Sequence, residues 1–261
     1  MANSLSRRSF VGIVGASATV LGLGLAGCSD NSSSGSADSY IIATDTTFAP
    51  FEFTNDNNEF VGIDVDTLAA CAEVSGFEYE LQSLGFDAAV AALESGQADG
   101  VIAGMSITPE REEKYDFSDP YYDSYVCAAA AENGDVKSLD DLSGRAVACK
   151  TGTQSAAWAE SIKDQYGFTI NYFDQSDMMY QDVLTGNTAA CFEDYPVMAY
   201  GVSQGNGLTI IGENKDEFST PYGFAVLKGQ NAELLSAFNE GLAEIRSNGT
   251  YDEILNKYLE A

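Results

Sequence analysis

Strand-like and helix-like patterns alternate along this chain from residue 40 onward. Tyr40–Thr44 is a short β-rich run that opens the pattern. Residues 63–74 predict a helix that stops near Gly76. Phe86, Ala89, Val90 and Leu93 fall on one helical face, and Gly96 ends that segment. Residues 101–103, 126–131, 146–149, 169–173 and 189–192 are apolar runs of strand length. Residues 154–163 and 178–184 read as helices, and residues 222–226 as a late strand. A long helix is predicted over 231–247, capped by Asn231, and Thr250 with Glu253 makes a capping-box pair for the last one. Repeated alternation of this kind predicts an α/β fold with largely parallel sheets.

In open α/β sheets, ligands bind beyond the carboxyl ends of strands. Polar clusters stand at four such ends: Asp45; Gly104 to Arg111; Lys150, Thr151, Gly152, Thr153 and Gln154; and Glu193 with Asp194. Each alone reads as an ordinary loop, but together they point to a site. Thr108 suits a helix N-cap and Pro109 a first helical position, which sets Arg111 at the mouth of a strand. A guanidinium there can grip a carboxylate through two parallel hydrogen bonds. A surface ion pair with one of the many acids is the other reading.

The 261 residues are 45% hydrophobic and 11% aromatic, enough for one large domain or two smaller ones. Net charge is -28. Without the first 27 residues, which hold Arg7 and Arg8 and no acid, ten basic residues face forty acidic ones, giving -30. Such a charge repels nucleic acid and anionic membrane surfaces. The chain has no histidine, which excludes Ser-His and Cys-His hydrolases. Cys71, Cys127, Cys149 and Cys191 show no C-x-x-C spacing, so no zinc site is expected, nor any other metal or cofactor. They read as buried free thiols, with a bridge between two of Cys127, Cys149 and Cys191 left open.

Residues 1–27 read as an export signal: the twin arginine Arg7-Arg8, a mildly apolar stretch, then Leu25-Ala26-Gly27-Cys28. The layout resembles a twin-arginine signal joined to a lipoprotein processing box, which implies cleavage before Cys28 and lipidation of its thiol. Residues 28–39 read as a flexible tether with a reach of about 18–20 Å. No other segment approaches the ~18 apolar residues of a membrane span.

The run Ala43-Thr44-Asp45-Thr46-Thr47-Phe48-Ala49-Pro50-Phe51-Glu52-Phe53 resembles the opening of bacterial solute-binding proteins for polar amino acids, the receptors of ABC importers. So do Val61-Gly62-Ile63-Asp64-Val65-Asp66, Gly104 to Arg111, Asp116 to Tyr122, and Asn248-Gly249-Thr250-Tyr251. The similarity spans about 40–261 in order and is nearest to glutamine-binding proteins. It implies a two-lobed, type II periplasmic-binding-protein-like fold with two crossover hinge strands. Lobe 1 would be 40–125 with 222–261, and lobe 2 126–221, with hinges near Ser124-Tyr125 and Pro221-Tyr222.

By the same resemblance, Arg111 clamps a ligand α-carboxylate with the N–H groups of Ser106 and Thr153. Asp194 takes the α-ammonium with the Gly104 carbonyl and Ser106 hydroxyl. Phe48 and Phe86 sandwich the aliphatic chain. Asp45 and Lys150 select a side-chain carboxamide, which offers both N–H and C=O. Two positions depart from a glutamine binder: Glu193 stands where His is expected, and Gln154 where Gly is expected. The implied partners are an L-amino acid and an ABC permease with its ATPase. The implied protein is a monomeric, non-enzymatic lipoprotein, anchored on the outer face of the cell membrane or the periplasmic side. The alternatives are a binder of glutamate or of a basic amino acid, a cyclohexadienyl dehydratase-like enzyme using Glu193 as general acid, and a sensor or adhesin.

Overall fold

Two five-stranded sheets carry the chain in the computed structural model, which describes residues 39–259. The expected export signal, the expected lipidation at Cys28 and the expected tether up to residue 38 lie outside the described residues. The first lobe is built from β1 (Tyr40–Thr44), the small hairpin β2 (Phe53–Thr54) and β3 (Phe60–Val61), then α1 (Ile63–Ser75), β4 (Tyr79–Ser83), α2 (Phe86–Glu94), β5 (Gly100–Val101), α3 (Pro109–Glu112) and β6 (Tyr115–Phe117). The second holds β7 (Tyr125–Ala131), β8 (Ala146–Lys150), α4 (Gln154–Tyr166), β9 (Thr169–Phe173), α5 (Ser176–Leu184), β10 (Cys191–Asp194), α6 (Tyr195–Ser203) and β11 (Leu208–Ser219). The chain then returns through β12 (Ala225–Leu227), α7 (Ala232–Ser247) and α8 (Thr250–Leu259).

Sheet order is β4-β1-β5-β12-β6 in the first lobe and β11-β7-β10-β8-β9 in the second. The expectation of largely parallel sheets holds for half of each. β1 runs parallel to β4 and β5, and β8 parallel to β9 and β10. β12 is antiparallel to both neighbours, as is β7. The physical reason is connectivity: β7 and β12 each enter their sheet from the other lobe, without a helical crossover to turn them parallel.

The central strands are buried on both faces, which explains their unbroken apolar runs. Ile42, Ile102 and Val226 pack under α7 and α8, while their neighbours Ala43, Val101 and Ala225 pack under α2. In the second lobe Val126, Ala128 and Cys149 face one layer, and Cys127, Ala129 and Cys191 the other. α7 lies so close to α1 that a Cβ on Gly241 would come 2.8 Å from the Cys71 backbone. All four core cysteines are buried and free. A bridge is disfavoured by position: Cys149 points to the face opposite Cys127 and Cys191, and those two sit out of register, Cys127 opposite Glu193 and Cys191 opposite Ala129.

Several boundaries move. The run at 101–103 is a strand only through Val101, and that at 189–192 shifts to Cys191–Asp194. Asn231 does not cap α7 with its side chain. It sits at φ 50, and its amide donates to the Asp99 carbonyl (2.9 Å). The Thr250–Glu253 capping box does not form either. Thr250 is already helical, its N–H donates to Asn248 Oδ1 (3.0 Å), and the Glu253 N–H goes to the Gly249 carbonyl. Thr108 does cap α3, accepting from the Arg111 N–H (3.2 Å).

Two crossover segments, 118–124 and 220–224, join the lobes and pair with each other. Thr220 N–H donates to Ser124 O (2.9 Å), and Tyr222 N–H to Tyr122 O (2.7 Å). Tyr222 is not strand-bound as expected. It makes isolated bridges to Ser106 and Tyr122 and is completely buried.

Candidate ligand-binding site

The carboxyl ends of β1, β5, β8 and β10 present Asp45, Gly104, Lys150 and Asp194, and these ends meet across the two lobes. There they close on a narrow cavity of about 10 Å3. All ten residues singled out in the sequence line it: Asp45, Phe48, Phe86, Gly104, Ser106, Arg111, Lys150, Thr153, Gln154 and Asp194, joined by Ala103.

Asp45 and Lys150 form an ion pair between the lobes, with 1% exposure on each side chain. The other Asp45 oxygen accepts from the Thr46 N–H (2.6 Å). Lys150 Nζ also lies 4.9 Å from the centre of the Phe48 ring and 3.5 Å from Ser176 Oγ. Phe48 packs on Phe51 and Tyr222, so it belongs to the core and the cavity wall at once.

Arg111 is half-buried. Its Nη1 donates to the Ser106 carbonyl (2.9 Å), and its Nη2 reaches across to the Gly152 carbonyl (3.0 Å). Its guanidinium carbon stands 5.4 Å over the Phe86 ring, a cation–π distance. Burial lowers the Arg111 pKa, and Asp194 opposes that. Thr153 caps α4, its hydroxyl accepting from the Ala156 N–H (3.2 Å) and donating to the Lys150 carbonyl (2.8 Å). The first N–H groups of a helix lack intrahelical acceptors, so the start of α4 offers donors beside Arg111.

Asp194 is 5% exposed. Its Oδ2 accepts from the Tyr222 hydroxyl (2.6 Å), which in turn accepts from Ser124 Oγ (3.0 Å). Its Oδ1 is buried and has no hydrogen-bond partner. Burial and the neighbouring Glu193 push the carboxyl up to about 7, against the pull of Tyr222, Arg111 and Lys150. Glu193 itself turns away from the cavity. Its Oε2 accepts from Ser176 Oγ (2.9 Å) and Tyr180 OH (2.8 Å), and its Oε1 from the Asp194 N–H (2.9 Å).

Gly104 holds the closest approach. It sits at φ +53, and a Cβ there would lie 2.4 Å from the Phe48 ring. Its N–H donates to Asp64 Oδ2 (2.7 Å).

Three groups at the site go beyond the residues marked by the sequence: the Gly152 carbonyl, Tyr222 as the partner of Asp194, and Ser176 beneath Lys150. Gly152 lay inside a run already marked as polar. Tyr222 and Ser176 gave no local signal, because only the tertiary fold brings them in.

The arrangement offers a cation and an anion on opposite lobes, aromatic walls, and a second charged pair at the far end. Among the described residues no cluster of three or more His, Cys, Asp or Glu could hold an ion. No described helix is long and apolar enough to cross a membrane.

Known proteins share this framework. The second substrate-binding domain of Lactococcus lactis GlnP, in an open conformation, is 42% identical over 86% of this chain and 96% of its own, with a TM-score of 0.58. An ancestral arginine-binding protein bound to glutamine is 36% identical over 85% of this chain and 98% of its own, yet superposes better, at 0.76. The open domain fits less well despite higher identity, in keeping with lobes that touch here through Asp45–Lys150 and Arg111–Gly152. The arginine-binding extracellular protein ArtP of Bacillus subtilis is 29% identical over 89% of this chain and 90% of its own length. The family model of the bacterial extracellular solute-binding proteins, family 3, matches residues 40–261, and the chain belongs to that family.

Proposed function

We propose that this protein captures an L-amino acid between its lobes and delivers it to an ABC permease. The observation that carries the reading is the convergence of Arg111 and Asp194 on one cavity from opposite lobes, with Asp194 Oδ1 buried and unpartnered. A zwitterion presents both charges. Its carboxylate suits the Arg111 fork and the start of α4, and its ammonium suits Asp194, the Gly104 carbonyl and the Ser106 hydroxyl. Phe48 and Phe86 sandwich the aliphatic chain.

Glutamine is the side chain we favour. Asp45 and Lys150 give one acceptor and one donor at the far end, which matches a carboxamide and leaves no net charge to neutralise. Arginine is the second reading, since Asp45 can take a guanidinium and several relatives are named for arginine. A dehydratase-like enzyme finds less support. Glu193, the acid such chemistry would use, is spent on Ser176, Tyr180 and the Asp194 N–H outside the cavity.

The lobes we assign are 40–125 with 222–261, and 126–221, moving about the paired crossover segments. Ligand contacts from both lobes exist together only when the lobes are closed, so ligand shifts the population toward closure. We assign the N-terminal segment as a twin-arginine lipoprotein signal, with Cys28 as the anchor that keeps a monomer near its permease. Titration calorimetry of the purified protein against the twenty amino acids tests the reading. Micromolar or tighter binding of glutamine, about -8 kcal/mol or better, is expected. Binding of none at millimolar concentration ends it.

A further inference from the structure

Behind the cavity, two carboxyl groups lie together with too few donors. Glu52 and Asp64 are both wholly buried and in side-chain contact. Asp64 Oδ2 accepts from the Gly104 N–H (2.7 Å) and the Tyr121 hydroxyl (2.8 Å). Asp64 Oδ1 and both Glu52 oxygens are buried and have no donor from the protein. Two ionised carboxylates in contact would leave three bare anionic oxygens in the interior, and like charges so placed do not both ionise.

A single proton between the two groups resolves the conflict. A metal ion does not, because among the described residues no third ligand completes a site. Other charges near the pair are Asp45, which favours the proton, and Lys150, which opposes it but is already paired with Asp45. Tyr121 from the crossover segment bonds to Asp64, and the Tyr251 hydroxyl of α8 donates to the Tyr121 carbonyl. Asp64 already receives two hydrogen bonds that favour its anion, while Glu52 receives none, so the proton belongs on Glu52.

The pair sits where it controls the cavity wall. Glu52 exchanges backbone hydrogen bonds with Phe48: the Phe48 N–H donates to Glu52 O (2.8 Å), and the Glu52 N–H to Phe48 O (3.3 Å). Asp64 holds Gly104, against which the Phe48 ring packs. We propose that Glu52 is a neutral carboxylic acid in the folded protein, donating to Asp64. This shared proton then locks the Phe48 turn to the Gly104 loop and so fixes one wall of the cleft. Glu52 is thus a positioning residue. The cleft's role rests on the amino-acid reading above, but the proton does not.

Infrared spectroscopy of the full protein near pH 7, without ligand, tests the proton. The wild type should show a carboxylic-acid carbonyl band that Glu52→Gln removes and Glu193→Gln does not. Gly104 amide exchange tests the positioning. Raising pH should speed wild-type exchange at Gly104 by roughly tenfold beyond the intrinsic base effect, as Glu52 ionises and the pair separates. Glu52→Gln, which still donates but cannot ionise, should show only the intrinsic rise. Absence of a Glu52-dependent band, or the same alkaline acceleration in Glu52→Gln, would overturn the proposal. Should Glu52→Gln not fold, carbon-13 labelling of glutamate carboxyls in the Glu193→Gln background decides the point. One glutamate must stay protonated near pH 7, and none doing so refutes it. Because no arm uses an amino acid, a failure here is separate from a failure to bind ligand.

Discussion

Asp45 and Lys150 stand 105 residues apart in sequence and meet as an ion pair that is 1% exposed on both sides, one partner in each lobe. The pair spans the cleft, so it belongs to the energetics of closure. Removing one partner of a buried pair leaves the other charge bare, at ~3–5 kcal/mol. Opening the lobes rehydrates Lys150 and avoids that cost. Asp45→Ala is therefore expected to enlarge the radius of gyration in small-angle scattering. An unchanged scattering curve would mean that Asp45 does not hold the lobes together.

Arg111 is the residue whose loss should be felt most by any ligand carrying a carboxylate. Truncation to Ala removes the cation facing that group in a closed cleft, an effect of ~3–5 kcal/mol. Calorimetry should find binding of the proposed ligand, glutamine, weakened by at least a hundredfold. Lys at this position keeps the charge but not the planar fork, and about tenfold or more should still be lost. Wild-type affinity in Arg111→Lys would show that charge alone suffices.

Asp194 sets a pH dependence of definite sign. Its carboxyl is pushed up to about 7 by burial and by Glu193. The ammonium of a ligand needs the ionised form, so affinity should fall as pH drops below about 7, by up to tenfold per unit. Above that pH it should level off. Stability runs the other way. The folded protein holds on to protons that the unfolded chain releases between about 4 and 7. Asp64, raised to about 6, acts in the same direction. Ligand-free stability should therefore decline as pH rises through this window, by on the order of 1 kcal/mol per unit. Exposed carboxylates such as Asp135, lowered by Arg145, oppose this only weakly, because solvent screens them. Asp194→Asn should flatten the affinity profile and reduce the slope of stability with pH.

Asp45 and Lys150 were legible because each follows an apolar strand directly, and Asp194 because it stands one residue farther on, since strand ends are where α/β sheets meet ligands. Arg111 was legible through Thr108 and Pro109, a cap signal that depends only on neighbours. Glu193 was misleading in part. It sits at the right place in sequence, yet strand alternation turns it to the face opposite Asp194, into the interior of the second lobe. Asn231 failed as a cap because a tertiary partner, the Asp99 carbonyl, took its amide. The half-antiparallel sheets were out of reach of local pattern, since β7 and β12 differ from the other strands only in where the chain comes from.

Gly104 tests how tightly the wall is built. Its left-handed backbone (φ +53) already disfavours a side chain, and an added Cβ meets the Phe48 ring at 2.4 Å. Phe48 cannot retreat freely, since Phe51 and Tyr222 stand behind it. Gly104→Ala should cost ~1–3 kcal/mol of stability from overpacking. It should also push Phe48 toward the aliphatic part of the ligand and weaken binding. A denaturation midpoint equal to wild type would show that the wall yields.

The thiols provide a check on the core of both lobes. Cys71, Cys127, Cys149 and Cys191 are buried and free. Burial raises all four pKa values, that of Cys71 to about 12, so hardly any thiolate exists near neutral pH. Alkylation needs the thiolate and access to it. In the native protein, iodoacetamide at neutral pH should therefore leave these four positions unlabelled. In denaturant without reductant all four should react, which mass spectrometry counts directly. Fast labelling of Cys127 or Cys191 in the native state would show that the α5 layer covering them opens. Failure of two positions to label in denaturant would reveal a disulfide, and with it a second-lobe sheet packed differently from the one described.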